Sequence, residues 1–194
     1  MTTNLENTPP PNLKQISRLF RLVGWFSFVG QIILLIVSTL MLFVAAASGL
    51  ARSPSAGTAD TSNSIATGGS SLFSILSLLA LLYAAYRAFG YVRLGRQLRA
   101  NVPAARPSKV NTITNLWMGI MVSGSGMLLA ILAAEAIAGS LFIKSLAQLG
   151  GLFVGNMNLV QPLDIFLVLA NTHLVTAHFL GLISSVFLLN RIDR

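Results

Sequence analysis

Four long apolar runs punctuate this chain, at about residues 22–47, 72–91, 116–143 and 162–189. Each is at least as long as the roughly 20 helical residues that cross a hydrocarbon core. The pattern therefore predicts an all-α integral membrane protein with four transmembrane helices. Basic residues gather at alternate ends of these runs. Lys14, Arg18 and Arg21 precede the first; Arg87 near the end of the second is followed by Arg93, Arg96, Arg99, Arg106 and Lys109 before the third; Arg191 and Arg194 follow the last. The other two gaps hold only Arg52 and Lys144. The positive-inside rule then places both termini on the cytoplasmic side, together with a basic loop over 92–112.

The segments between the runs complete the domain reading. Residues 1–13 are polar and carry Pro9, Pro10 and Pro11, which predicts a disordered tail ahead of a single four-helix domain over 14–194. The first run, with its basic approach and Ala45, Ala46 and Ala47 at its end, imitates a signal peptide. It is longer than the roughly 7 to 15 residues of a signal core, so an uncleaved span is expected. Residues 48–71 have the Ser, Thr, Ala and Gly content of a flexible loop. Arg93, Arg96 and Arg99, spaced by three, predict a helical extension past the second span until Pro103 and Pro107 interrupt it. Residues 145–160 suit a folded loop, an interfacial helix or a re-entrant segment.

Composition agrees with a lipid setting. Hydrophobic residues make up 54% of the chain and charged residues 9%, where a soluble domain carries roughly a quarter. The net charge of +8 belongs to span ends and lacks interleaved aromatics, so it points to anionic headgroups and away from nucleic acid. Arg93, Arg96, Arg99, Arg106 and Lys109 are the candidate lipid- or partner-binding residues. No cysteine is present, which excludes disulfides and thiolate chemistry.

Polar residues inside the runs are the remaining signal. Asp164, Asn171, His178 and Ser185 recur every seven residues and form one stripe along the fourth helix. Such a stripe must face protein or water, either as a hydrogen-bonded packing seam or as a substrate or ion path. Glu135 lies at about the depth of Asn171 and His173, and Gln31 nearer that of His178, which predicts an outer and an inner polar layer. Glu135, Asp164, His173 and His178 have the donor types for iron or manganese, yet no compact two-His or Glu-x-x-His spacing. A lone intramembrane His is weak ground for chlorophyll ligation. Gly119, Ser123, Gly126, Ala130, Ala134 and Ala138 make a small-residue strip suited to close helix contact. Met118, Met121 and Met127 are read as packing residues, and Gly124-Ser125-Gly126 as a helix contact. No Walker loop, Gly-x-Ser-x-Gly elbow or His-Glu-x-x-His pair is present, so catalysis is not expected.

Three stretches carry a family resemblance. They are Phe89-Gly90-Tyr91-Val92-Arg93-Leu94 with Gln97-Leu98-Arg99; Gly139 through Lys144; and Leu163-Asp164-Ile165-Phe166-Leu167-Val168 with Asn171-Thr172 and His178-Phe179-Leu180-Gly181-Leu182. Over about residues 13–190 the chain resembles the cyanobacterial and chloroplast family that includes the small four-helix subunit associated with the inner-envelope protein translocon, also called the permease in chloroplasts. With no long transit extension it looks like the cyanobacterial branch, in a plasma or thylakoid membrane. The resemblance implies a transport-related role, either metal-ion (iron) permeation or participation in protein translocation, with Asp164, Asn171 and His178 matching the family's pattern. The alternative is a non-transporting scaffold or assembly subunit of a larger, photosynthetic membrane complex. Iron is the implied substrate, no cofactor is assigned, and a homo-oligomer or a larger complex is the expected setting.

Overall fold

The computed structural model describes residues 11–51, 61–99, 107–151 and 162–193, and among them the architecture is wholly helical. The helices are α1 (Pro11–Ala51), α2 (Thr61–Gln97), α3 (Lys109–Gly151) and α4 (Pro162–Asp193). Each contains a segment long and apolar enough to cross a membrane: Lys14–Ala47, Gly69–Gln97, Lys109–Ile143 and Asp164–Ile192. The protein is an integral membrane protein.

All four helices outrun the apolar stretches that announce them. α1 opens at Pro11, inside the expected tail, because a proline at the first helical position loses only an N–H that has no helical partner there. The expected loop over 48–71 contracts, since α1 continues to Ala51 and α2 begins at Thr61; residues 52–60 lie outside the described residues. Serine does not stop α2, because its hydroxyl can bond its own helix, as Ser74 Oγ does to the Ser70 carbonyl at 2.9 Å. The region 145–160 likewise shortens: α3 carries on through Gly151, and 152–161 lie outside the described residues.

The basic loop is also shorter than 92–112. α2 absorbs residues 92–97 and closes with hydrogen bonds from the Leu98 N–H to the Leu94 carbonyl (3.0 Å) and from the Arg99 N–H to the Arg96 carbonyl (3.1 Å). α3 starts at Lys109 behind Ser108, whose hydroxyl accepts the Asn111 N–H at 3.2 Å as an N-cap. Residues 100–106, with Arg106, lie outside the described residues.

The buried positions follow a 3-4 alternation. On α3 they are Thr112, Leu116, Gly119, Ser123, Gly126, Ala130, Ala133 and Ile137; on α2 the same spacing runs Ser70, Ser74, Ser77, Leu81, Ala84, Ala88, Tyr91, Gly95 and Leu98. This is the periodicity of knobs-into-holes packing. It explains a departure on α3: the small-residue strip is buried through Ala130, but Ala134 is half-buried and Ala138 exposed. Steps of four drift off a seam that repeats every seven. The opposite faces carry exposed Trp25, Phe26, Ile33, Leu128, Phe142 and Phe179, as lipid contact requires.

Residues cluster into two compact units, and each helix supplies a segment to both. Of the described residues, the first comprises 11–33, 80–99, 107–125 and 177–193, the second 34–51, 61–79, 126–151 and 162–176. The first has a core of Phe20, Tyr91, Leu98, Leu116 and Leu188, with Ile16, Val23, Leu94, Leu189 and Ile192 against it. In the second, Ser38, Ala45, Ser70, Ser74, Ala130, Ala133, Ile137, Ala170 and Leu174 are buried. Small and hydroxylated residues dominate there, consistent with helices held by close approach and polar contacts where apolar burial contributes little.

Candidate functional site

Each unit contains a buried polar node. In the first unit, Gln31 of α1 is fully enclosed and its Nε2 donates to the Ala177 carbonyl of α4 at 3.4 Å. Gly181, one turn on, makes this approach feasible, since a Cβ there would collide with Gln31 Nε2 and stand 2.8 Å from Ser123 Oγ. A larger residue there would displace the Gln31 amide, so glycine is what lets α4 meet both α1 and α3 with this hydrogen bond in place. On the same face of α4, Ser185 Oγ lies 2.9 Å from the Gly181 carbonyl and 2.9 Å from the Tyr91 hydroxyl of α2. Gly119 of α3 accommodates that hydroxyl in the same manner, for a Cβ on it would overlap Tyr91 Oη. His178, between these groups on α4, is fully buried.

Arg87 extends this node along α2. Its Nη2 donates to both the backbone carbonyl and Oδ1 of Asn115, and its Nη1 lies 3.1 Å from Met118 Sδ. Arg87 Nε, Gln31 Oε1 and Ser27 Oγ are enclosed without a hydrogen-bond partner among the described residues. The space bounded by Ser27, Gln31, Arg87, Tyr91, Ser123 and Ser185 has no room for a water-sized sphere. Lower on the same unit, Ser17 Oγ donates to the Gly95 carbonyl at 2.7 Å. That bond ties α1 to α2 at a close approach of the two helices, where a Cβ on Gly95 would stand 3.0 Å from the Ser17 carbonyl.

In the second unit, Asn171 is the centre. Its Nδ2 donates to the Leu167 carbonyl at 3.0 Å, and its Oδ1 accepts from Ser74 Oγ of α2 at 3.0 Å. Ser77 Oγ donates to the Gly126 carbonyl of α3 at 3.0 Å. In membranes such interhelical contacts contribute about 0.6 kcal/mol on average and at most about 1.7. They fix which faces meet rather than supply most of the stability.

The sequence-predicted residues therefore divide. Asn171, His178 and Ser185 are buried along one line of α4, and Gln31 reaches α4 one residue from His178. Glu135 does not join Asn171: it is exposed on the outward face of α3. Asp164 is half-exposed in the first turn of α4, where a carboxylate complements the helix dipole. His173 is half-buried, with its Nδ1 enclosed and without a hydrogen-bond partner among the described residues. Among the described residues no group of three His, Cys, Asp or Glu side chains could hold a metal ion. Arg93, Arg96, Arg99 and Lys109 are exposed, while Leu98 is buried, so the arginines and this leucine face different ways. Tyr91, Arg87, Asn115, Ser74 and Ser123 were not singled out as polar-site residues by the sequence. For Ser70, Ser74 and Ser77 a usable signal existed, namely serines in 3-4 register inside an apolar run.

Comparison with known proteins places this geometry in a family. The family described as "Protein of unknown function (DUF3611)" matches residues 10–193. "Protein TIC 21, chloroplastic" from Arabidopsis thaliana is 32% identical over 187 residues, covering 93% of this chain and 58% of the relative. The chain thus spans somewhat over half the length of that curated relative. No solved structure matches significantly. A profile that covers α1 to α4 from end to end, joined by a relative matching nearly the whole chain, makes this protein a member of the DUF3611 family.

Proposed function

We propose that this protein is a membrane subunit acting in transport or translocation as part of a larger assembly, with its four helices forming a packed frame. The observation that carries the reading is the pairing of buried polar groups. Gln31, Ser74, Ser77, Tyr91, Asn171 and Ser185 each meet another helix, and the space among the first unit's polar side chains is too narrow for water. Kinship with a chloroplast protein carrying a TIC name supports a translocation-related setting. The exposed Glu135 supports coverage by a further chain, a second copy or another subunit, because a carboxylate facing hydrocarbon is costly. In this reading the basic ends of the helices face the cytoplasm, and the membrane is the cyanobacterial plasma or thylakoid membrane, the chloroplast inner envelope serving the plastid relatives.

A permease reading is the second, favoured by the burial of Asn171, His178 and Ser185 along one line of α4. Liposomes containing the purified chain and an internal ferrous-ion indicator separate the two. The frame reading expects flux no greater than that of empty liposomes, and recovery of the chain from native membranes with larger partners. Ferrous flux that disappears in His178→Ala while the protein stays folded would overturn it in favour of permeation.

A further inference from the structure

At one end of the first unit, α1 and α2 make an unusually close approach. A Cβ on Gly24 would stand 3.1 Å from the Tyr91 Cβ, from Val92 Cγ2 and from the Val92 backbone nitrogen. A Cβ on Gly95 would stand 3.0 Å from the Ser17 carbonyl and from the Phe20 Cβ. Beside this contact lies a groove of about 510 Å³ lined by Arg18, Arg21, Leu22 and Trp25 of α1 and by Val92 and Arg96 of α2. Its volume falls within the range of small-molecule sites.

The lining is segregated. Its three arginines lie toward the helix termini, and among the described residues no carboxylate lines it. Arg18 and Arg21 lie at the start of the membrane-spanning part of α1, and Arg96 in the last turn of α2, so the charges stand at one level of the membrane boundary. Leu22 and Trp25, 69% and 55% exposed, continue the groove one turn further into the apolar part of α1. The Trp25 ring packs on Phe28 at 5.9 Å, and Phe28 on Phe89 at 5.6 Å, so the indole is buttressed from both helices. Guanidinium is a fork suited to phosphate oxygens, whereas three adjacent guanidiniums repel one another until an anion joins them. Below them, leucine and an interfacial tryptophan offer a surface for an acyl chain.

We propose that this α1–α2 groove is a binding site for an anionic glycerophospholipid, its phosphate held by Arg18, Arg21 and Arg96 and one acyl chain lying along Leu22 and Trp25. The proposal does not depend on whether the protein conducts, only on its spanning the membrane. Charge attraction near an anionic surface amounts to about one kcal/mol per basic residue, so three arginines lining one groove should enrich the lipid on the order of tenfold or more over its bulk fraction.

Trp25 provides the readout, since the chain has only one other tryptophan, Trp117. In Trp117→Phe protein, Trp25 fluorescence is measured in phosphatidylcholine vesicles in which either the phosphatidylcholine or a minor fraction of phosphatidylglycerol carries brominated chains. Brominated phosphatidylglycerol should quench as though enriched on the order of tenfold at Trp25. The triple change Arg18→Gln, Arg21→Gln, Arg96→Gln should reduce quenching to the bulk ratio. Lys14→Gln, Arg191→Gln, Arg194→Gln removes the same charge near the two chain ends, Lys14 and Arg191 being exposed and not part of the groove lining, and should preserve it. Equal loss in both triple variants would mean diffuse attraction and overturn the site, as would the absence of enrichment in the parent protein. Relief of quenching by millimolar inorganic phosphate would assign the arginines to a free anion and overturn the lipid assignment. Should the groove triple variant fail to insert, Arg96→Gln alone must lower the enrichment, and mild-detergent extracts of the unaltered protein must carry phosphatidylglycerol above its membrane fraction.

Discussion

Gly95 and Gly90 lie on the same helix and offer a matched test of how α1 and α2 are held together. At Gly90 a Cβ would meet nothing within 4 Å, whereas at Gly95 it would stand 3.0 Å from the Ser17 carbonyl, the Phe20 Cβ and the Arg21 Cγ. A methyl at Gly95 thus presses on the backbone of α1, which must give by a few tenths of an ångström. The Ser17 to Gly95 hydrogen bond of 2.7 Å spans this same gap and is stretched by any separation. Overpacking of this kind costs about 1–3 kcal/mol, and weakening the buried hydrogen bond adds a few tenths, against an average interhelical value of about 0.6. Both glycines gain the same helix propensity on becoming alanine, roughly 1 kcal/mol, so the difference between the variants isolates the contact. Gly95→Ala should therefore be about 1–3 kcal/mol less stable than Gly90→Ala. Helical circular dichroism followed through a titration from mild detergent into dodecyl sulfate measures the difference on purified protein. Two variants unfolding within about 0.5 kcal/mol of each other, the usual scatter of neutral substitutions, would refute the claim that α1 and α2 touch at Gly95.

The Tyr91 hydroxyl and Gly119 should be coupled. Gly119→Ala is expected to destabilise by about 1–3 kcal/mol, and by measurably less in a Tyr91→Phe background, because the overlapping hydroxyl is gone. A double-mutant cycle in the same dodecyl sulfate titration checks it, and strict additivity would show that the two residues do not meet. Membrane orientation is equally accessible, since the natural chain has no cysteine to interfere. Arg99→Cys and Asn190→Cys should react with an impermeant maleimide from one side of the membrane and Ala56→Cys from the other. Labelling of positions 99 and 190 from opposite sides would contradict the charge-based orientation.

What the sequence made legible is the existence and number of the helices, because runs of 20 or more apolar residues have few alternatives in lipid. It also exposed the line Asn171, His178 and Ser185, since a seven-residue repeat places residues on one seam whatever they contact. Helix limits were less readable. The physical condition that ends a transmembrane helix is the availability of water or a cap, as at Ser108, and hydropathy does not report it. Glu135 illustrates a different limit: depth along a helix follows from counting residues, but azimuth depends on which seven-residue seam packs. Counting placed Glu135 near Asn171, and the seam through Ala130, Ala133 and Ile137 turned it outward. The Arg87–Asn115 and Tyr91–Ser185 pairs join residues far apart in the chain, and nothing local in either partner names the other.

The serine hydroxyls at the seams hold two acceptors within reach. Ser74 Oγ addresses both Asn171 and the Ser70 carbonyl on its own helix, and Ser185 Oγ lies near both Tyr91 and its own Gly181 carbonyl. When neighbouring helices part or slide, the serine proton falls back on its own backbone, so the serine itself is not stranded in lipid. The cost of separation then rests on the partner, Asn171 Oδ1 or the Tyr91 hydroxyl, and not on both groups. A seam stitched this way can loosen and re-engage at lower cost than one in which both partners lose their hydrogen bonds in lipid.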